Sequence, residues 1–229
     1  MNMSYTKQVL TFVICYLFGL IGFGQSEFES LGETSFAVNH KLSNSYNMNF
    51  SARSRYFLYQ EDNFLLKNRQ IDVVHFSTYA LDFSRSISLG IQYRFRDGFD
   101  NGNDELRLTQ QFNYKKRAYV VRFGHRLRLE QRIFNNLTIL RYRYRFALDF
   151  PLNGEKLDIG EGYFIGSMEA LLSQSSKLKP ELDYRTTINF GWLLTEQLKL
   201  QLGLEYRFEA WNIETEQRLF ILTSAILNI

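Results

Sequence analysis

Residues 117–133 read RAYVVRFGHRLRLEQRI and residues 137–150 read LTILRYRYRFALDF. In the first stretch Tyr119, Val121, Phe123, Leu127, Leu129 and Ile133 share one parity, while Arg122, Arg126, Arg128, Glu130 and Arg132 share the other. In the second, Leu140, Tyr142, Tyr144, Phe146, Leu148 and Phe150 alternate with Arg141, Arg143 and Arg145. A period of two places successive side chains on opposite faces of an extended chain, so both stretches are strands with one greasy and one charged face. A two-residue hairpin turn at Asn135–Asn136 sets Glu130 opposite Arg141, Arg128 opposite Arg143 and Arg126 opposite Arg145, polar against polar. A turn at Lys115–Lys116 in the preceding hairpin sets Glu105 opposite Arg126 and Thr109 opposite Arg122, so three successive strands share one charged surface.

The same alternation runs along the rest of the chain. It is clear in Tyr46, Met48, Phe50, Ala52, Tyr56 and Leu58, in Ile87, Leu89, Ile91, Tyr93 and Phe95, and in Leu198, Leu200, Leu202, Leu204, Tyr206 and Phe208. Eleven segments read as strands: 31–42, 46–59, 69–83, 86–96, 104–114, 117–133, 137–150, 160–172, 181–194, 198–209 and 215–228. No helical period competes with them. Aromatic residues make up 16% of the chain and only 2 prolines occur, a balance suited to sheet. The segments exceed the usual soluble strand of about five or six residues and suit a tilted bilayer crossing of roughly 9 to 11.

Energy decides which face is outside. An arginine at the lipid midplane costs roughly 2 to 4 kcal/mol, so the arginines face inward and the aromatic stripe faces lipid. The expectation is an all-β, antiparallel up-and-down transmembrane β-barrel. Short turns at 43–45, 84–85, 115–116 and 195–197 alternate with longer connections at 60–68, 97–103, 173–180 and 210–214, as in barrels with short periplasmic turns. Single-chain bacterial barrels have an even strand number. The eleven segments therefore predict 12 strands, with 10 as the alternative, in which case the first segment lies in the lumen or outside the wall.

The amino-terminal region carries Lys7, an apolar run from Val9 to Phe23 and small residues at Gly22 and Gly24, which reads as a signal peptide over 1–24 ahead of a barrel over 25–229. The run is too short for a spanning helix. Cys15, the only cysteine, falls inside it, so thiol catalysis, disulfides and cysteine metal sites are excluded from the remainder. The net charge of +3 is spread in alternation with acids, which gives no nucleic-acid surface.

The run His125-Arg126-Leu127-Arg128-Leu129-Glu130-Gln131-Arg132, with Arg141 to Arg145 and the strand-ending Pro151-Leu152, resembles the Bacteroidota outer-membrane barrels known as domain of unknown function 2490. Glu169, Arg185 and Gly191 sit where that family's later motifs would lie. The resemblance covers nearly all of the chain after residue 24. It implies the cell outer membrane as location and supplies no activity, ligand or catalytic residue. Outer-membrane lipid, and the barrel-assembly machinery during insertion, are then the expected partners.

The candidate site is the lumen. Glu105, Arg122, Arg126, Arg128, Glu130, Arg132, Arg141, Arg143, Arg145, Glu169, Arg185 and Glu205 form its expected charge network, in which Glu105, Glu130, Glu169 and Glu205 hold Arg126, Arg141 and their neighbours. Like charges directly opposite one another repel, so arginines such as Arg128 and Arg143 need carboxylates, water or an anionic ligand. The leading function is a structural or passive-transport barrel with an Arg/Glu-filled lumen. One alternative is an anion-preferring small-solute channel, since inward rings of arginine select anions. A lipid-modifying enzyme is the other, but His125 lies on the apolar face with no serine near it in sequence and with Glu130 on the opposite face. No catalytic constellation, cofactor fingerprint or metal-ligand spacing occurs: His40, His75 and His125 are far apart.

Overall fold

The computed structural model describes residues 28–60 and 63–229; the segment read as a signal, 1–24, lies outside them. Eleven strands follow in order: β1 (Phe28–Lys41), β2 (Tyr46–Gln60), β3 (Asn63–Ala80), β4 (Arg85–Phe95), β5 (Glu105–Ala118), β6 (Val121–Ile133), β7 (Thr138–Pro151), β8 (Gly162–Gln174), β9 (Glu181–Leu193), β10 (Leu198–Glu209) and β11 (Glu216–Asn228). Each pairs with its sequence neighbours, and β1 meets β11 to close the barrel.

Among the described residues eleven strands, between the 12 and 10 expected, form the wall, and the first segment is one of them, β1. Consecutive hairpins reverse direction at every step, so an odd number leaves first and last strands pointing the same way. The closing pair is accordingly parallel, from Phe28↔Gln217 to Asn39↔Asn228, and the all-antiparallel expectation fails at this one seam. A parallel ladder satisfies backbone groups through slanted bonds and is slightly weaker per residue. Side chains reinforce this one: Thr34 and Thr223 hydroxyls lie 2.9 Å apart and Asn39 Nδ2 donates to Asn228 Oδ1 at 2.9 Å, while Asn49 Nδ2, from β2, donates to Asn39 Oδ1 at 2.7 Å.

The β6–β7 hairpin has the expected register, Glu130↔Arg141, Arg128↔Arg143 and Arg126↔Arg145, closed by Phe134 N donating to Leu137 O at 2.8 Å. The β5–β6 register differs. Its tip is at Tyr119–Val120, with Tyr119 in the left-handed region at φ 53°, and Lys115 and Lys116 remain in the ladder opposite Gly124 and Phe123. Thr109 thus faces Glu130 and Asn113 faces Arg126, in place of the expected Thr109–Arg122 and Glu105–Arg126 pairs. Any slide by an even number of residues keeps polar against polar. Face parity alone could not choose between these registers, and the observed one extends the ladder as far as Ala118↔Val121. The connection expected at 60–68 is also mostly strand, because β3 begins at Asn63.

Inside and outside are reversed relative to a water-soluble protein. Glu105, Glu130 and Asp72 point inward and are each 1% exposed, whereas the outward Leu89, Leu127 and Leu202 are 66%, 55% and 52% exposed. The small apolar core, Leu31, Phe57 and Phe220, lies on the inner wall near the seam. One barrel end carries the connections 96–104, 134–137, 175–180 and 210–215 and is the loop end; the other, with 42–45, 81–84, 119–120, 152–161 and 194–197, is the turn end.

Candidate functional site

The lumen holds a cavity of about 800 Å³, lined by side chains from all eleven strands. An eight-stranded barrel has an interior that side chains just fill, and the wider wall here leaves residual space. Period two places every second residue of each strand against that space, and those residues are mainly charged in the loop-end half.

Two carboxylates anchor the charged half. Glu105 accepts from Arg107 Nε at 2.8 Å, from Arg132 Nε and Nη2 both at 2.9 Å, and from Arg94 Nη1 at 3.3 Å. Glu130 accepts from Arg143 Nη1 at 2.8 Å and Arg128 Nη1 at 3.4 Å, and pairs with Arg107 Nη1 at 3.5 Å. Around them, Glu169 takes Arg143 Nε and Nη2 at 3.2 and 2.6 Å, and Asp72 takes Arg94 Nε and Nη2 at 2.8 and 3.0 Å. Sharing a carboxylate among several planar guanidiniums suits arginine, whose fork offers parallel N–H donors.

The network is wider than the expected set. Glu205 accepts from Arg207 Nε at 2.5 Å and from Thr187 Oγ1 at 2.9 Å, while Arg185 reaches Glu209 at 3.2 Å and Asp183 at 3.9 Å. Arg141 donates to Ser173 Oγ at 2.7 Å and pairs with Asp183 and Glu181 at 3.7 and 3.8 Å. None of the four glutamates expected to hold Arg141 is its ion-pair partner. Arg218 ties Glu29, Glu209 and Glu216 across the seam, and Arg55 holds Glu33 at 2.5 Å. Asp72, Arg94, Arg107, Asp183, Arg207, Glu209 and Arg218 were legible by parity alone: in β10, Glu205, Arg207 and Glu209 alternate with the outward Leu202, Leu204, Tyr206 and Phe208.

Aromatic rings carry guanidiniums as well. Arg207 and Arg55 stand over the two-way contact ring Phe220 at 3.8 and 5.2 Å, and Arg128 stands over Phe76 at 5.3 Å. Phe76 lies on Gly90, where an added Cβ would come within 2.3 Å of its ring. Gly90 therefore sets the height of the platform under Arg128.

Three cavity-lining arginines have no carboxylate partner among the described residues: Arg53, Arg126 and Arg145. Arg53 meets only Gln92 Oε1 at 3.4 Å, and Arg126 Nε donates to Asn113 Oδ1 at 3.2 Å. Buried Nε atoms of Arg53 and Arg145 have no acceptor. The expectation that Glu105, Glu130, Glu169 and Glu205 hold Arg126 is thus corrected, since Glu169 is spent on Arg143. Arg122 also stands apart at the turn end, exposed and paired with Asp149 at 2.8 Å. Towards that end the lining becomes neutral and polar, with Ser35, Asn49, Ser51, Ser167, Asn189, Gln201 and Ser224.

On the outer wall His125 Nδ1 lies 2.8 Å from the Tyr144 hydroxyl and stacks between Tyr114 and Tyr144, in an aromatic belt. His75 Nε2 lies 3.0 Å from Ser77 Oγ, a contact not foreseen from sequence, and Tyr46 donates to the same hydroxyl at 2.9 Å. Its Nδ1 is buried without a partner. The carboxylate that orients the base of a hydrolytic triad is missing from this pair.

A family model described as protein of unknown function (DUF2490) matches residues 34–217. Comparison with curated proteins gives no match. Among solved structures, LpxR from Salmonella typhimurium is similar at 10% identity and a TM-score of 0.49, over 79% of this chain and 83% of that one. An anion-selective porin from Comamonas acidovorans is similar at 12% identity and a TM-score of 0.36, over 80% of this chain and 55% of that one. At these scores neither likeness transfers a function.

Proposed function

This chain belongs to the family described as protein of unknown function (DUF2490), and from that starting point we propose that it is an outer-membrane barrel giving small anionic solutes passive passage. The observation that carries the reading is the lined cavity of about 800 Å³ in which Arg53, Arg126 and Arg145 have no carboxylate partner among the described residues. Inward arginine rings favour anions. The Arg/Glu network of the loop-end half acts as a rigid constriction, and the neutral turn-end half as a wetted vestibule.

The membrane reading is supported by the outward belt of leucine, isoleucine and aromatic side chains and by strands of 11 to 18 residues. A strand needs roughly 9 to 11 residues to cross a bilayer at a tilt. Outer-membrane location is tested by fractionating cells that express the full chain and following the folded barrel, which migrates differently from the heated protein in gels. Recovery in the inner membrane or the soluble fraction refutes it.

Passage is tested by incorporating the purified barrel into planar bilayers under a KCl gradient. The expected reversal potential has the sign of chloride preference. A folded barrel that stays silent, or one that prefers potassium, overturns the reading.

A further inference from the structure

We propose that Arg126 and Arg145 form a specific binding site for a tetrahedral oxyanion, of the phosphate or sulfate class, beneath the ion-pair network. The proposal rests on the anion-preferring reading above and deepens it, naming the position and the class of anion.

The two arginines are directly opposite each other across β6 and β7, and both line the cavity. Like charges in that relation repel, and elsewhere in this lumen the same relation is relieved: Arg128 and Arg143, the next pair along, share Glu130. For Arg126 and Arg145 the carboxylate on their own rung is Glu169, the cross-strand partner of Arg145. Both of its oxygens are bound by Arg143. Arg126 spends only its Nε, on the neutral Asn113, and Arg145 Nε is buried with no acceptor at all.

A protein that needed only a rigid wall could relieve this pair with one more carboxylate. Instead, beside the committed Glu169, the pair is flanked by the neutral hydrogen-bonding groups of Asn113 and Ser167. Ser167, on the same inward face as Glu169 and two residues from it, is buried and lines the cavity. Guanidinium forks bind oxyanions through paired, charge-assisted N–H bonds, and two facing forks suit an anion with oxygens on several sides. A tetrahedral dianion neutralises both arginines, whereas chloride offers neither the charge nor the separate oxygens. Arg53, the third uncompensated cation on the lining, adds to the field that draws such an anion inward.

The test uses the full barrel purified in detergent micelles, with inorganic phosphate and sulfate titrated against chloride at matched ionic strength. Thermal unfolding should shift upward with phosphate and sulfate and stay flat with chloride. Arg145→Gln should weaken phosphate binding by about tenfold or more, the loss expected for removing one charge-assisted partner, and Arg126→Gln/Arg145→Gln should abolish the shift. Without phosphate the double variant should be at least as stable as the parent, because it removes a like-charge pair. Arg122→Gln, at the rim and paired with Asp149, should bind as the parent does. No shift in the parent, or an unchanged shift in the double variant, overturns the proposal. The bilayer measurement separates it from the transport reading: phosphate binding in a silent barrel keeps the site and removes passage, while chloride preference without phosphate binding does the reverse.

Discussion

Glu130→Gln keeps the volume and one acceptor oxygen of the side chain but removes the charge shared by Arg143, Arg128 and Arg107. These three do not suffer equally. Arg143 retains Glu169 and Arg107 retains Glu105, whereas Glu130 is the only carboxylate paired with Arg128 among the described residues. Arg128 keeps the neutral Gln111, which accepts its Nε at 2.9 Å and its Nη2 at 2.5 Å. Breaking a buried ion pair from one side costs about 3 to 5 kcal/mol. Two of the three arginines retain second partners and the adjoining cavity admits water, so the lower end of that range, about 3 kcal/mol, is expected. The assay is equilibrium urea unfolding of the barrel in micelles or thin lipid vesicles, with a double-mutant cycle. Adding Arg128→Gln to Glu130→Gln should recover part of the loss, with a coupling of roughly 0.5 to 3 kcal/mol, because it removes the cation left alone. A loss below about 0.5 kcal/mol, the level of an ordinary surface change, refutes the claim that Glu130 is a structural anchor. Full loss without recovery refutes the assignment of Arg128 as its dependent partner.

Three further perturbations probe separate parts of the molecule. Gly90→Val forces Phe76 off its seat and tilts Arg128 with it, at a cost of about 1 to 3 kcal/mol in unfolding free energy, the usual range for overpacking. Leu127→Arg, on the outer face midway along β6, should cost roughly 2 to 4 kcal/mol in lipid vesicles, as a lipid-facing cation does, and an unchanged unfolding midpoint would refute the outward assignment. Asp104, in the connection at the loop end, accepts the amides of Arg96 at 2.8 Å and Asp97 at 3.1 Å. The Arg96 amide contributes most to holding its carboxyl below the ordinary value, followed by the Asp97 amide. A lowered carboxyl stabilises the folded connection above the unfolded value and loses that effect as pH falls through the folded one. The amide resonances of Arg96 and Asp97 should therefore hold steady from neutral pH down to the ordinary aspartate range and move only below it; movement near pH 6 would contradict the contact.

The eleven segments were readable because apolar side chains outside and charge inside keep a strict period of two, and their number is the strand number observed among the described residues. The step from eleven to twelve came from the evenness of bacterial barrels, and the parallel β1–β11 pair removes its basis here. Hairpin tips were readable where the turn residues are distinctive, as at Asn135–Asn136. They were not where a lysine pair competes with Tyr119–Val120, because both choices preserve the faces. The charge network was found in β6 and β7, where arginine is dense. The signal is weaker in β3, β4 and β10, where single charges such as Asp72, Arg94 and Arg207 stand between conspicuous apolar stripes. Which carboxylate serves which arginine depends on register and reach across the lumen, and neither is written in a single strand.

That dependence also explains why the uncompensated arginines occur where they do. A carboxylate can serve its own rung and the adjoining rungs, so Glu105 and Glu130 satisfy arginines on both sides of themselves near the loop end. Glu169 is the last acid of β8 in that series, and its commitment to Arg143 leaves the rung of Arg126 and Arg145 outside the reach of the network. On that rung Asn113 faces Arg126, and one inward step towards the turn end β8 carries Ser167, neutral in both cases. The positive surplus is therefore confined to the boundary between a rigid charged half and a neutral polar half. There an anion that has passed the Arg122–Asp149 pair at the turn end and the neutral polar lining beyond it would meet the first arginines that have no carboxylate partner among the described residues.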